Sequence, residues 1–327
     1  MRIAVTGSIA TDHLATFPGR FADELMSDHL AHVSLSFLVD DLEVRRGGVA
    51  ANIAFGLGVL GLTPYLAGAV GTDFDEYRIW LKEHGVDAEH VRVSSRLQTA
   101  RFMCTTDLDR NQIASFYAGA MAEAAQIDLS RVAERTGGID LVLLSPNSPD
   151  AMLRHTEQCR QLRLPFAADP SQQLARLTRE EVRHLITGAR WLFTNAYESA
   201  LLLEISGWTR EEILSRLGAW ITTRGADGVS IETADEEAVS FPAVAPSTIV
   251  DPTGFGDAFR AGFLAGTSWR RPVLSAIPLG CALATRALES VGSQQYTVSS
   301  TDLLTHIADT FGGPVTALLA PHVETRP

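Results

Sequence analysis

The sequence predicts an α/β fold: a central, mostly parallel sheet flanked by helices, with a small β-sheet lid. Three observations predict it. From residue 139 onward, short apolar strands alternate with helical stretches, the pattern of a parallel sheet covered on both faces. Polar clusters recur at the carboxyl ends of those strands, where open sheets bind ligands. The first third holds short strands and a hairpin whose apolar residues have no obvious core of their own, which reads as a sheet over a site or against a partner. The 327 residues are expected to form one domain, with the lid inserted from about residues 11–45 and 98–118.

Residues 2–9 alternate in polarity and run into Gly7-Ser8, a strand entering a turn. Asp12 is then a turn or cap acid, or an acceptor for sugar hydroxyls at the carboxyl end of that strand. Residues 19–33 have helical periodicity. His29 and His32 lie there at i, i+3, but no carboxylate or cysteine completes a metal set, so they read as surface histidines. Residues 34–39 and 42–45 read as short strands joined by Asp40-Asp41. Gly47-Gly48 permits close approach of a ligand and starts a helix. Asn52, on its first turns in an apolar stretch, must be satisfied by a ligand hydroxyl or a loop carbonyl. Gly61 caps that helix, residues 64–69 form a strand, and Gly71-Thr72-Asp73 opens another helix. Residues 99–105 and 112–117 form a hairpin that joins the lid. Its Phe102 and Phe116 either stack a flat heterocycle or pack lid to body.

In the second half, strands are expected at 139–144, 165–168, 190–194 and 220–223, with helices at 150–162, 179–186 and from Asn195. Gln172 and Gln173, Asn195 and Glu198, and Thr223 and Gly225 fall at strand ends. The stretch Asp251-Pro252-Thr253-Gly254-Phe255-Gly256-Asp257 reads as a strand end, a glycine turn and the start of a buried helix. Two glycines spaced by one residue let N–H groups point into a concavity, and the helix terminus adds partial positive charge. Such a place holds an anion. Asp257 is either a capping acid or the base of a phosphate-transfer site, and this stretch alone leaves both open.

Composition removes several classes. The net charge of −12 counts against a nucleic-acid binder. The charge-free run 47–72 is long enough for a bilayer, but its glycines, Asn52 and Pro64 split it into helix, turn and strand, so no membrane span is expected. Cys104, Cys159 and Cys281 are widely spaced and odd in number, and no signal peptide precedes the first strand; both suit a reducing cytoplasm. Lys82 is the only lysine, on what reads as an ordinary surface helix. That excludes a Walker-type loop and the strand lysine of a protein kinase, and leaves a pyridoxal enzyme only Lys82. A nicotinamide-dependent oxidoreductase is disfavoured because the first βα turn, Gly7 to Asp12, lacks G-x-G-x-x-G.

Three motifs carry a resemblance. Gly47-Gly48-x-Ala50-x-Asn52-x-Ala54 with Gly61 and Gly71, Asn195-x-x-Glu198, and residues 251–257 occur in the order and spacing of the ribokinase-like (PfkB) carbohydrate kinases. More narrowly, residues 5–14, 34–42, 112–117 and 166–176 resemble bacterial adenosine kinases of that family. The resemblance implies the ribokinase-like fold and an ATP:adenosine 5′-phosphotransferase of purine salvage. Another sugar or nucleoside kinase (ribokinase, fructokinase, inosine-guanosine kinase) is the alternative. It implies Asp257 as base, and Gly254, Phe255 and Gly256 as amides for the transferring phosphoryl group. Ser8, Asp12, Ser36, Gly48 and Asn52 would hold the ribose side. Phe102, Phe116, Gln172, Gln173 and Arg176 would hold the purine. Thr223, Gly225, Gly228 and Gly256 would line the ATP side, and Asn195 and Glu198 would organise Mg2+ through water. Asp251 would mark a monovalent cation (K+) site. The implied partners are nucleoside and ATP, with a homodimer through the lid. One departure is Phe255, where the family usually has a small residue.

Overall fold

In the structure, a computed structural model that describes residues 1–24 and 36–324, the apolar strand β1 (Ile3–Thr6) is buried along its whole length. The chain then leaves the body for β2 (Ala10–Thr16) and β3 (Asp41–Gly47), and returns as the helix Val49–Val59 and the strand β4 (Tyr65–Ala67). Two-residue strands β5 (Ala69–Val70) and β6 (Arg92–Val93) pair beside it. β7 (Ala100–Thr106) and β8 (Gln112–Tyr117) form the expected hairpin. The lid is one four-stranded sheet in the order β3-β2-β7-β8.

The second half supplies β9 (Leu141–Leu144), β10 (Phe166–Ala168), β11 (Trp191–Asn195), β12 (Ala219–Thr223), β13 (Val229–Glu232) and β14 (Val239–Phe241). These join β1 and β4 in an eight-stranded sheet, β14-β13-β12-β11-β10-β9-β1-β4. Pairing is parallel from β4 through β12 and antiparallel from β12 to β14. Successive strand residues serve opposite faces. Val5, Leu141 and Leu143 enter one core with the helices Val49–Val59, Phe255–Ser268 and Val273–Leu288. Ala4, Val142 and Leu144 enter the other with the helices Pro149–Gln161, Arg179–Ile186 and Ala196–Ser206. β1 connects onward to β4 and β9 to β10, in opposite directions along the sheet, so the strand order reverses between β1 and β9. This is where an open sheet splits to admit a ligand.

Several local expectations change. Asp12 sits in strand β2, not in a turn. The sequence ATDHLAT lacks apolar alternation, and its partners β3 and β7 impose the strand. Residues 36–39 are not a strand, and no strand precedes Asp251; there Val250 and Asp251 donate their N–H groups to the carbonyl of Leu288. Of the helix expected at 19–33, Phe21–Glu24 is seen, and His29 and His32 lie outside the described residues. The charge-free run folds as the helix Val49–Val59, a turn, β4 and β5, and no described helix is long and apolar enough to cross a membrane. The stretch after residue 312 forms a helix, Gly313–Val323.

Candidate active site

Gly254 starts the helix Phe255–Ser268 from a left-handed conformation, φ 79°. A Cβ at Gly254 would lie 2.5 Å from the Ser293 Cβ, so both backbone and space demand glycine. No side chain caps this helix, which leaves its first N–H groups and positive dipole end available to an anion. Asp257 lies on that first turn, half-buried. Burial pushes its carboxyl up to about 7, against the opposing pull of Arg260 and of the Asn52 hydrogen bond; Asp169 and Glu198 push it up further.

Asn52 donates from Nδ2 to Asp257 Oδ2 at 2.8 Å. Its Oδ1 accepts from Ser293 Oγ at 2.9 Å and from Gln294 Nε2 at 2.8 Å. Three of its four hydrogen-bonding positions are thus filled from within, and its amide is aimed at the acid. Beneath Asp257, Arg260 closes a buried ion pair on Asp169, Nε to Oδ2 at 2.6 Å and Nη2 to Oδ1 at 2.7 Å.

The lid brings four residues into one row by register. Arg45, Asp12, Phe102 and Phe116 are successive cross-strand partners, so they share one face. Arg45 also donates to Asp251 Oδ2 at 2.7 Å, which joins the lid to the signature loop. Burial raises the Asp12 carboxyl to about 6, Arg45 opposing and Asp251 reinforcing the shift. Phe102 is half-buried and Phe116 exposed. Ser8 accepts at Oγ from the Val49 N–H at 3.0 Å. Gly48, φ 94°, would place a Cβ 2.6 Å from the Ala10 N and 2.7 Å from the Ile9 Cα. Its bareness serves the crossing of its own backbone as much as any ligand. Ser36 is exposed in an irregular stretch, and Gln172 and Arg176 are exposed in the 3-10 turn Ser171–Arg176. Gln173 is buried in that turn, and its Oε1 has no hydrogen-bond partner.

On the other side of the signature helix lies an apolar cavity of about 240 Å³. Thr223, Gly225, Gly228 and Gly256 line it together with Val244 and Phe255. A Cβ at Gly225 would meet nothing, whereas one at Gly228 would collide with the Phe241 carbonyl. The Phe255 side chain, unexplained by sequence, is a wall of this cavity packed on the core.

Asn195 and Glu198 form a reciprocal cap on the helix Ala196–Ser206: each side chain accepts the other's N–H at 2.8 Å. Glu198 Oε1 also accepts from Ser171 Oγ at 3.2 Å. The N-x-x-E spacing is itself a capping-box signature, so local physics alone accounts for it. Among the described residues no group of three or more His, Cys, Asp or Glu could hold a metal ion. Asp251 accepts from the Thr253 N–H at Oδ1 and from Arg45 and the Gly292 N–H at Oδ2.

Sequence reasoning missed Arg260, Asp169, Arg45, Ser293 and Gln294. Only Arg260 carried a signal: it stands three residues after Asp257, one turn along an otherwise apolar helix.

Comparison with known proteins agrees with this geometry. Residues 9–300 match the profile of the pfkB family carbohydrate kinases. A nucleoside kinase of Burkholderia thailandensis, solved in complex with inosine, is 34% identical with TM-score 0.82, over 95% of this chain and 98% of that one. A nucleoside kinase of Methanothermobacter thermautotrophicus is 32% identical over 244 residues, 72% of this chain and 76% of the relative. A cytidine kinase of Thermococcus kodakarensis is 27% identical over 281 residues, 82% of this chain and 98% of the relative. With an uncapped signature helix, an acid on its first turn and a lid sheet facing it, the chain belongs to the pfkB family of carbohydrate kinases.

Proposed function

We propose that the protein transfers the γ-phosphoryl group of ATP to the 5′-hydroxyl of adenosine, giving AMP and ADP. The observation that carries this is the position of Asp257, an acid near neutrality beside glycine amides at an open helix terminus. As the 5′-oxygen attacks, its proton passes to the Asp257 carboxylate, the new O–P bond forms and the bond from the γ-phosphorus to ADP breaks. The amides of Gly254, Phe255 and Gly256 face the charge that develops. Asn52 orients Asp257. Asp12 and Ser8 hold ribose hydroxyls, Phe102 and Phe116 stack the base, and the unpartnered Gln173 Oε1 supports a hydrogen bond to the purine. The apolar cavity beside Gly225 receives the adenine of ATP.

Mg2+ bound with the nucleotide would supply neutralisation of its phosphates. With too few clustered carboxylates for a protein cage, the donor set suits an ion held mainly by phosphates and water. Glu198, fixed by its cap, would meet that water shell.

Inosine is the second candidate substrate, because a 34% identical relative was solved with it. Steady-state assays with ATP and adenosine, inosine, guanosine, cytidine, ribose and fructose test the proposal; a kcat/KM for ribose or fructose above that for every nucleoside would refute it. The outer lid face, with Val44 and Met103 in one cross-strand row and Leu42 and Ile113 in the next, exposes apolar surface that supports a lid-to-lid homodimer. Light scattering tests this.

A further inference from the structure

The deepest polar contact of the site is not among the residues that would touch substrate. Arg260 and Asp169 are 6% and 1% exposed, and they are held by one hydrogen bond, Nη2 to Oδ1, and a close ion pair between Nε and Oδ2. Arg260 has a third contact: Nη1 donates to the carbonyl of Gly256 at 2.9 Å, within the first turn that carries Asp257. Its guanidinium also lies over the Phe193 ring, 5.7 Å from the centroid. Asp169 immediately follows β10 and leads through Pro170 into the turn that carries Gln172 and Gln173. Ser171, the second residue of that lead, has φ 45°, an uncommon conformation for a side chain larger than glycine. Ser171 Oγ reaches both Gln172 Oε1 at 2.6 Å and Glu198 Oε1 at 3.2 Å. Glu198 thus holds Ser171, the backbone runs two residues from Ser171 to Asp169, and Asp169 holds Arg260, which holds the Gly256 carbonyl.

We propose that the Arg260–Asp169 pair is a brace that fixes the phosphate-side helix terminus relative to the purine-side turn, so that Arg260 acts as a positioning residue for Asp257 and the Gly256 amide. A buried ion pair is weak evidence for stability, because apolar residues of similar volume often replace one without loss. Here the pair joins the signature helix to the turn that follows β10, which no other polar contact of Arg260 or Asp169 connects. A 1 Å misplacement of reacting groups is enough to cost about 10²-fold in rate. This inference rests on the kinase reading, and its test separates the two.

Arg260→Met alone strands the Asp169 carboxylate and risks misfolding, so the decisive variant is Arg260→Met/Asp169→Asn, which removes both charges. Arg260→Lys keeps the charge and loses the two-pronged geometry. The measurements are melting temperature, kcat, nucleoside KM and ADP affinity by calorimetry. The brace predicts a double variant that melts near the wild type. Its kcat falls by about 10²-fold, its nucleoside KM changes by less than about twofold, and its ADP affinity weakens as the Gly256 amide loses its position. Arg260→Lys falls between the wild type and the double variant in kcat. A double variant that is as stable as the wild type and keeps its kcat overturns the brace and leaves the kinase reading intact. If wild-type protein phosphorylates nothing in the panel, the kinase reading fails. ADP affinity then decides: a loss at unchanged melting temperature supports the brace, and no loss overturns it.

Discussion

Replacing Asp257 by Asn separates chemistry from folding. The amide is nearly the same size, and its oxygen can still accept from Asn52 Nδ2, so the local geometry survives. What disappears is a carboxyl whose native-state value stands at about 7 against an ordinary 3.8. The native state holds that proton more tightly than the unfolded chain. Stability is therefore full below about 3.8 and is lost as pH rises through about 7. Those two values set an upper limit of about 4 kcal/mol on the loss. Asn cannot ionise, so the variant should match the wild type below about pH 4, melt progressively higher than it between about pH 4 and 7, and keep a constant gap above that. Activity should move the other way. General-base removal costs about 10²–10⁴ in kcat, with nucleoside KM within about twofold of wild type. A coupled assay for ADP release gives kcat, and melting curves at several pH values give the stability gap. A variant that retains kcat within about tenfold of wild type would falsify the base assignment. A stability gap that does not widen with pH would mean that burial does not raise this acid.

Three further outcomes are expected. The kcat of the wild type should rise with pH through about 7, because Asp257 must lose its proton to accept another; a profile flat from pH 5.5 to 8.5 would rule out titration of this acid. Asn52→Leu removes the donor to Asp257 and strands Ser293 and Gln294, so melting should show a loss of about 1–3 kcal/mol and the rising limb of the kcat profile should move to higher pH. An unshifted limb would detach Asn52 from the acid. Phe255→Ala removes a wall of the apolar cavity and should raise the KM for ATP severalfold while nucleoside KM stays fixed; the reverse pattern would put Phe255 on the acceptor side.

Much of the site was legible because its residues sit in local patterns. The Asp257 turn, the Asn195–Glu198 spacing and the glycines at strand ends are each written within a few positions, and local geometry follows from them. The hairpin that carries Phe102 and Phe116 was legible likewise, and the observed register makes the two direct cross-strand partners. What could not be read was contact across the chain. Arg45 meets Asp251, Arg260 meets Asp169 and Gln294 meets Asn52 only after the lid and the two helical layers have closed on the sheet. Strand β2 was hidden because its polar sequence has no period of its own. Asn52 was expected to seek a ligand or a loop carbonyl, and its partners proved to be side chains from a distant segment. Asp251 shows the same limit, since nothing near it in the sequence announces the guanidinium that fills its carboxylate.

The contact between Asn52 and Asp257 spans 205 positions, and that between Asn52 and Gln294 spans 242. During synthesis the lid strands and the helix that carries Asn52 therefore leave the ribosome long before the segment that completes them. The emerging chain carries half a pocket, with Asn52 lacking Asp257, Arg45 paired with Glu43 but lacking Asp251, and the inner lid face uncovered. Closing loops of that length carries an entropic cost that local contacts do not repay in advance. Catalytic competence should then appear late and all at once, when the final third docks, while the earlier segment passes through a period of exposed apolar surface. A chaperone that shields the lid strands during that interval would raise the yield of active enzyme without touching the finished protein.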